Sequence, residues 1–307
     1  MISHITRFID LSDKNFFTVP KPQEDELLSS WLVRVALAHN TRPWSFYNLH
    51  FPHLHNIIFS RDLDIWASED LLVRLSKKSG LPVELPFAMT LQSYACILQK
   101  KILTNTGNNM LSPIVPRARK NQKHGLKFCP QCLKEDAHPY FRKAWRVSFY
   151  SVCLTHKILL LDKCCKCKKP ISFYKFKRET GFTKCWSCGQ ELSQCTGTPI
   201  ADHEYLAIQR LYDIVLKKKC NYANQEISAL DFFTVYHQIA KILNPHPSPS
   251  NRFNPYDSLD LSVRFWEEFS NLLNGKNIFA TTRKSVLTKD MSYIPLFYKK
   301  ALDKLLK

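Results

Sequence analysis

Two sets of four soft ligands sit side by side in the middle of the chain. The first is Cys129-Pro130-Gln131-Cys132, followed after 20 residues by Cys153-Leu154-Thr155-His156. The second is Cys164-Cys165-Lys166-Cys167, followed after 17 residues by Cys185-Trp186-Ser187-Cys188-Gly189. Two ligands separated by two residues fit on one tight turn, and two such turns facing each other close a tetrahedron of thiolates and imidazole around a metal ion. The spacing therefore predicts two structural zinc ions, Zn(2+). Cys129, Cys132, Cys153 and His156 would form a Cys₃His site, and Cys164, Cys167, Cys185 and Cys188 a Cys₄ site. Cys165 is spare in this register, and a register that uses Cys165 in place of Cys164 stays open. A catalytic zinc keeps one coordination position for water, whereas both sets fill all four positions with protein. The sequence also has no P-loop, G-x-G-x-x-G turn, H-E-x-x-H pair or G-x-S-x-G elbow. With seven glycines there is little room for a phosphate-cradling loop. No catalytic residue is assigned, and the chain is not expected to be an enzyme.

The elements that must position these ligands are mostly helical. Residues 24–40 carry Leu27, Leu28, Trp31, Leu32 and Val35 at helical spacing. A second helix starts after Ser68, a good N-cap, and stops at Gly80 with Pro82 just beyond. Thr90 to Leu103 reads as a third. A helix, the turn Ser79-Gly80-Leu81-Pro82 and more helix is compatible with a helix-turn-helix. Between the two turns of the first ligand set, Ala144 to Val152 alternates like a strand, as a zinc ribbon requires. Helical spacing returns at 203–217, 228–243 and 259–273, interrupted by a linker-like run, Pro245-His246-Pro247-Ser248-Pro249-Ser250. The predicted fold is mainly α with small β zinc ribbons. It divides into an N-terminal helical, helix-turn-helix-like domain (1–116), a tandem zinc-ribbon module (117–198) and a C-terminal helical domain (199–307).

Lys and Arg total 44 against 26 Asp and Glu, a formal net charge of +18 over 307 residues, which implies a polyanionic partner. No stretch has the roughly 18 apolar residues that span a bilayer, and the first residues lack a signal-peptide layout. Nucleic acid in the cytoplasm is the expected partner, and a membrane is not. The candidate nucleic-acid-binding residues are Arg117, Arg119, Lys120, Lys123 and Lys127 in a basic connector, with Lys163, Lys166, Lys168 and Lys169 around the second ligand set. The 11 cysteines are better explained by metal in a reducing compartment than by disulfides. Cys96, Cys195 and Cys220 have no partners in the sequence and read as ordinary buried residues. Leu27, Trp31 and Val35 are too apolar for base edges and form a candidate partner-binding face, for a homodimer or a recruited protein.

Several of these stretches together are distinctive: Phe128-Cys129-Pro130-Gln131-Cys132-Leu133-Lys134-Glu135, then Pro139-Tyr140-Phe141-Arg142, Trp145-Arg146, and Val152-Cys153-Leu154-Thr155-His156 with Leu159 and Leu160. With Glu24-Asp25-Glu26-Leu27-Leu28-Ser29-Ser30-Trp31-Leu32, Arg34 and Ala36 after a proline-marked leader, and with Ser79-Gly80-Leu81-Pro82, Met89-Thr90-Leu91 and Tyr94, the chain resembles the TniQ/TnsD family of transposon target-selection proteins over roughly residues 15 to 195. The resemblance implies a cytoplasmic, DNA-associated bacterial protein that marks where a transposon inserts. It also implies a TnsC-like AAA+ ATPase as the recruited partner, and through it the transposase. Some members read DNA directly and others ride on a CRISPR guide-RNA effector complex. The direct readers carry a longer region after the zinc module, so an adaptor of a CRISPR-associated transposon is the first expectation and a stand-alone DNA-binding selector the alternative.

Overall fold

A helix whose apolar residues spread round most of its circumference has to be enclosed rather than laid on a surface. Helix α1 (Leu28–Ala38) is of this kind, with Leu28, Trp31, Leu32, Val33, Val35 and Ala36 all buried. The computed structural model describes residues 14–54, 58, 61–103, 110–112, 114, 125–177, 181–222, 225–243 and 259–273. Within them α1 is the axis of the N-terminal part. Its polar groups are satisfied where they are buried: the Trp31 indole donates to Pro20 O at 2.9 Å, and Tyr47 from α2 (Pro43–His50) donates its hydroxyl to Leu32 O at 2.8 Å. The Ser29 amide and hydroxyl both donate to Asp64 at 2.8 Å, which fixes the short helix α3 (Leu63–Trp66) against α1.

Helix α4 (Glu69–Ser79) starts and stops where its sequence says. The Ser68 hydroxyl accepts from the Leu71 amide, and Gly80 takes the left-handed conformation at φ 71° that ends a helix without a Cβ clash. Helix α5 (Glu84–Ala88) follows, five residues long with Pro86 inside it. The helix expected over Thr90–Leu103 does not form. Only a 3₁₀ turn, Leu91–Tyr94, is present, and the chain then turns through a bridge between Ala95 and Gln99 with Cys96 at φ 60°. In this segment the Thr90 and Ser93 hydroxyls donate to Phe87 O and Thr90 O beside their own amides, in i to i−3 turns, and Gln92 reaches away to Ile65 O.

The middle of the chain is threaded through the core rather than laid on a sheet. Residues 144–150 are all buried, so the apolar alternation that suggests a strand is two-sided burial. Ala144–Arg146 is a 3₁₀ turn, and the strand is confined to β1 (Val152–Cys153), antiparallel to β2 (Ile158–Leu159) with Cys153 opposite Ile158. A later segment adds a third strand-like layer: Leu159 N donates to Thr198 O at 2.9 Å, Ile200 N to Lys157 O at 3.2 Å, and Ile158 bridges Pro199. Gly197 lies so close to Ile158 that an added Cβ would clash with its Cδ1.

Beyond it, α7 (Asp202–Lys217), a hairpin of β3 (Lys219–Tyr222) and β4 (Gln225–Ser228), α8 (Ala229–Leu243) and α9 (Leu259–Leu273) pack around Phe232, Phe233, Tyr236, Phe265 and Phe269. The helices match the periodicity to within a residue, and the hairpin is an addition to it. Phe149 stacks on Phe233 at 5.5 Å and Tyr150 meets Tyr212 at 4.7 Å, so one apolar core runs from Phe16 to Phe269. Among the described residues no helix is long and apolar enough to cross a membrane.

Candidate metal centre

Three of the four turns share one construction. The residue four positions after the first cysteine is left-handed, and its amide donates back to that cysteine's carbonyl: Lys157 to Cys153 at 2.8 Å, Lys168 to Cys164 at 3.0 Å and Gly189 to Cys185 at 3.0 Å. In the second set the next residue closes the ring, with Cys164 N bonded to Lys169 O and Cys185 N to Gln190 O. The fourth turn is different. Cys129 is the N-cap of α6 (Pro130–Glu135), Pro130 supplies a first turn that needs no amide, and the Cys129 sulfur accepts from Cys132 N at 3.5 Å.

These turns bring the two ligand sets together. Cys129, Cys132, Cys153 and His156 form one group and Cys164, Cys167, Cys185 and Cys188 the other, with all ligand atoms of a group within 4.8 Å of one another. His156 Nδ1 lies 3.4, 3.3 and 3.4 Å from Cys129, Cys132 and Cys153 sulfurs, and Cys132 and Cys153 sulfurs are 3.6 Å apart. In the second group Cys164–Cys188 and Cys167–Cys185 sulfurs are 3.6 Å apart. A tetrahedron with metal–sulfur bonds of about 2.3 Å has edges of roughly 3.8 Å, so the donor sets fit a tandem zinc-binding module. Their chemistry fits as well. Burial pushes the Cys185 thiol up to about 12 and also raises Cys164, so bare thiolates are disfavoured there and a bound dication would stabilise them.

Glu135, at the end of α6, sits 2.8 Å from His156 Nε2. A carboxylate on the far nitrogen fixes the ring tautomer with Nδ1 free for a metal. This residue escapes a reading based on ligand spacing, although its place one helical turn after Cys132 is the signal that could have found it. The open register is closed by a second feature: Cys165 forms a disulfide with Cys195, which leaves Cys164 in the ligand group. Cys195 is thus paired rather than an ordinary buried residue, and Cys96 is exposed. The separation of 30 positions is why neighbouring-residue logic misses the bond.

The basic candidates divide. Arg117, Arg119, Lys120 and Lys123 lie outside the described residues. Lys127 donates to Ser148 O. Lys166, Lys168 and Lys169 are exposed around the second ligand group and Lys163 is half-buried beside it. Lys169 and Lys175 flank the Trp186 ring at 5.3 and 3.9 Å, and Lys175 extends this basic face beyond the residues singled out from sequence. Leu27, Trp31 and Val35 require a correction. They are 1%, 0% and 0% exposed, enclosed by the chain's own core, so these side chains present no docking face. Their apolar spacing is that of an internal helix.

The fold and the paired ligand groups define a mainly helical protein with two adjacent ligand clusters that fit tandem zinc-binding modules. Residues 17–160 match the model of the TniQ family, so this segment of the chain is similar to a TniQ domain. At family level the TniQ domain indicates transposition-associated target selection, in a family of non-catalytic adaptors that work within transposition complexes. Comparison with curated proteins gives no match.

Proposed function

We propose that this chain is a non-enzymatic target-selection adaptor. It links a target-bound complex, a CRISPR guide-RNA effector complex among the candidates, to a TnsC-like AAA+ ATPase that in turn recruits the transposase. The observation that carries this reading is the TniQ match over residues 17–160, which contains the whole first ligand group. Both groups hold structural zinc. The metal acts as a cross-link, tying α6 to the β1–β2 hairpin in the first site and two facing turns in the second. The division into 1–116, 117–198 and 199–307 belongs to the same proposal. Removing the chain from a reconstituted transposition reaction should abolish targeted insertion while the transposase keeps its strand-transfer activity on DNA. Unchanged targeting without it would overturn the adaptor reading.

A second reading, a stand-alone DNA-binding selector, is favoured by the net charge of +18 and by the lysines around the second ligand group. In it the basic residues Lys127, Lys163, Lys166, Lys168 and Lys169 contact phosphates, and the α4–turn–α5 unit faces the groove. Gel shifts of the purified chain on target-flanking against scrambled duplexes separate the two. Sequence preference by the chain alone supports the selector, and its absence supports the adaptor.

A further inference from the structure

Cys165 and Cys195 belong to neither ligand group, yet the fold brings their Cα atoms to 5.6 Å and joins them in a disulfide. The loop they close contains Cys167, Cys185 and Cys188, and Cys164 is the next residue outside it. Three ligands of the second group are therefore inside the loop and the fourth is at its mouth.

We propose that Cys165–Cys195 is a thiol–disulfide exchange site energetically coupled to the second metal site, a reading that rests on that group binding zinc. The disulfide and the metal close nearly the same loop. Each removes chain freedom that the other would otherwise have to remove, so each favours the other. Linkage makes the effect reciprocal: the factor by which the bond raises metal affinity is the factor by which the metal raises the equilibrium constant for bond formation. The bond acts on the register too. A free Cys165 thiolate stands next to Cys164 as a competing ligand, and a Cys165 bonded to Cys195 cannot ligate.

The co-reactant class is a low-molecular-weight monothiol and its disulfide, of which glutathione is the type. Cys165 is half-buried while Cys195 is 5% exposed, so the incoming thiolate attacks the Cys165 sulfur. The protein S–S bond breaks and Cys195 leaves as a thiolate that takes a proton from solvent. A second monothiolate attacks the monothiol sulfur of the mixed disulfide, forms the small disulfide and releases Cys165 as a thiolate, which is also protonated from solvent. The protein gains two electrons and two protons, and the two monothiols lose them.

The test uses the full chain in glutathione redox buffers. The oxidised fraction is read by alkylation and mass, with zinc bound and after chelation. Zinc affinity is read by competition with a chromophoric chelator on oxidised wild type, reduced wild type, Cys165→Ser and Cys195→Ser. Zinc should move half-oxidation about tenfold or more toward the disulfide. The oxidised chain should hold one of its two zinc ions about tenfold or more tighter than the reduced chain or either variant, with the other ion unchanged as an internal reference. Cys195→Ser, which leaves Cys165 free to compete, should hold the second ion no better than Cys165→Ser. Two bound zinc ions with the same redox midpoint and the same affinity in both states would overturn the coupling while leaving the metal reading intact. A single zinc per chain in both states would overturn both.

Discussion

Replacing Arg146 by Met should cost about 3–5 kcal/mol at neutral pH, the range for removing one partner of a buried ion pair. Arg146 is 1% exposed. It donates to both carboxylate oxygens of Asp62, to Asp64 at 2.9 Å and to Ser112 O at 3.1 Å. Met fills most of the stem's volume, so the loss is mainly electrostatic: two carboxylates remain enclosed with no counter-ion. The Ser29 amide and hydroxyl still serve Asp64, and the Ile114 amide still serves Asp62, which keeps the cost near the middle of the range. Adding Asp62→Asn and Asp64→Asn to Arg146→Met should recover a large part of it, because no unpaired charge is then left. The pH dependence carries a sign. Burial pushes the Asp64 carboxyl up to about 6, against the pull of Arg146, with Asp62 adding to the push. A folded value above the ordinary carboxylate value means that this group's contribution is fully present below about pH 4 and is lost as pH rises through 6. Without Arg146 the folded value climbs further, so the gap between wild type and Arg146→Met should widen from pH 5 to pH 7.5. Urea denaturation of the zinc-loaded chain, followed by tryptophan fluorescence at a series of pH values, reads both effects. A cost below about 1 kcal/mol at pH 7, or a gap that narrows as pH rises, would refute the reasoning.

Cys129→Ser and Cys185→Ser should each remove one zinc per chain and lower the melting temperature, and chelation should mimic both, since metal binding in zinc-finger peptides is worth roughly 10–16 kcal/mol; metal content by mass spectrometry decides it. Changing Lys163, Lys166 and Lys168 together to Gln should flatten the slope of log affinity for duplex DNA against log salt by about 2.7, and an unchanged slope would remove these lysines from the interface. Trp31→Ala should cost roughly 3–5 kcal/mol of stability and leave the association state, read by sedimentation, as it was.

The metal ligands are legible because a tetrahedral site constrains spacing along the chain, and Ser68 and Gly80 are legible because a cap acts on its own neighbours. The misreadings share the opposite property. Thr90–Leu103 has a helical apolar pattern, but its start is drawn into i to i−3 turns at Thr90 and Ser93 and the chain then bends at Cys96, which the pattern does not mark. Ala144–Val152 alternates, but both sides of the chain are enclosed by distant segments, one bearing Phe233 and the other Tyr212. The face of Leu27, Trp31 and Val35 reads equally well as interface or interior until its cover is known. Cys165 and Cys195 meet only through the fold of everything between them. The β3–β4 hairpin is too short, at four residues a strand, to stand out beside the long helices around it.

The strand-like layer that Thr198, Pro199 and Ile200 lay against β2 gives the chain an order of assembly as it leaves the ribosome. All four ligands of the first group have been made by His156, some forty residues before that layer exists. At elongation rates of about 5–20 residues per second, the interval is roughly 2–8 s. During it the first knuckle has its complete ligand set but an uncovered Ile158 edge. A metal bound there would tie α6 to the β1–β2 hairpin before the cover, with Cys195 just ahead of it, has been made.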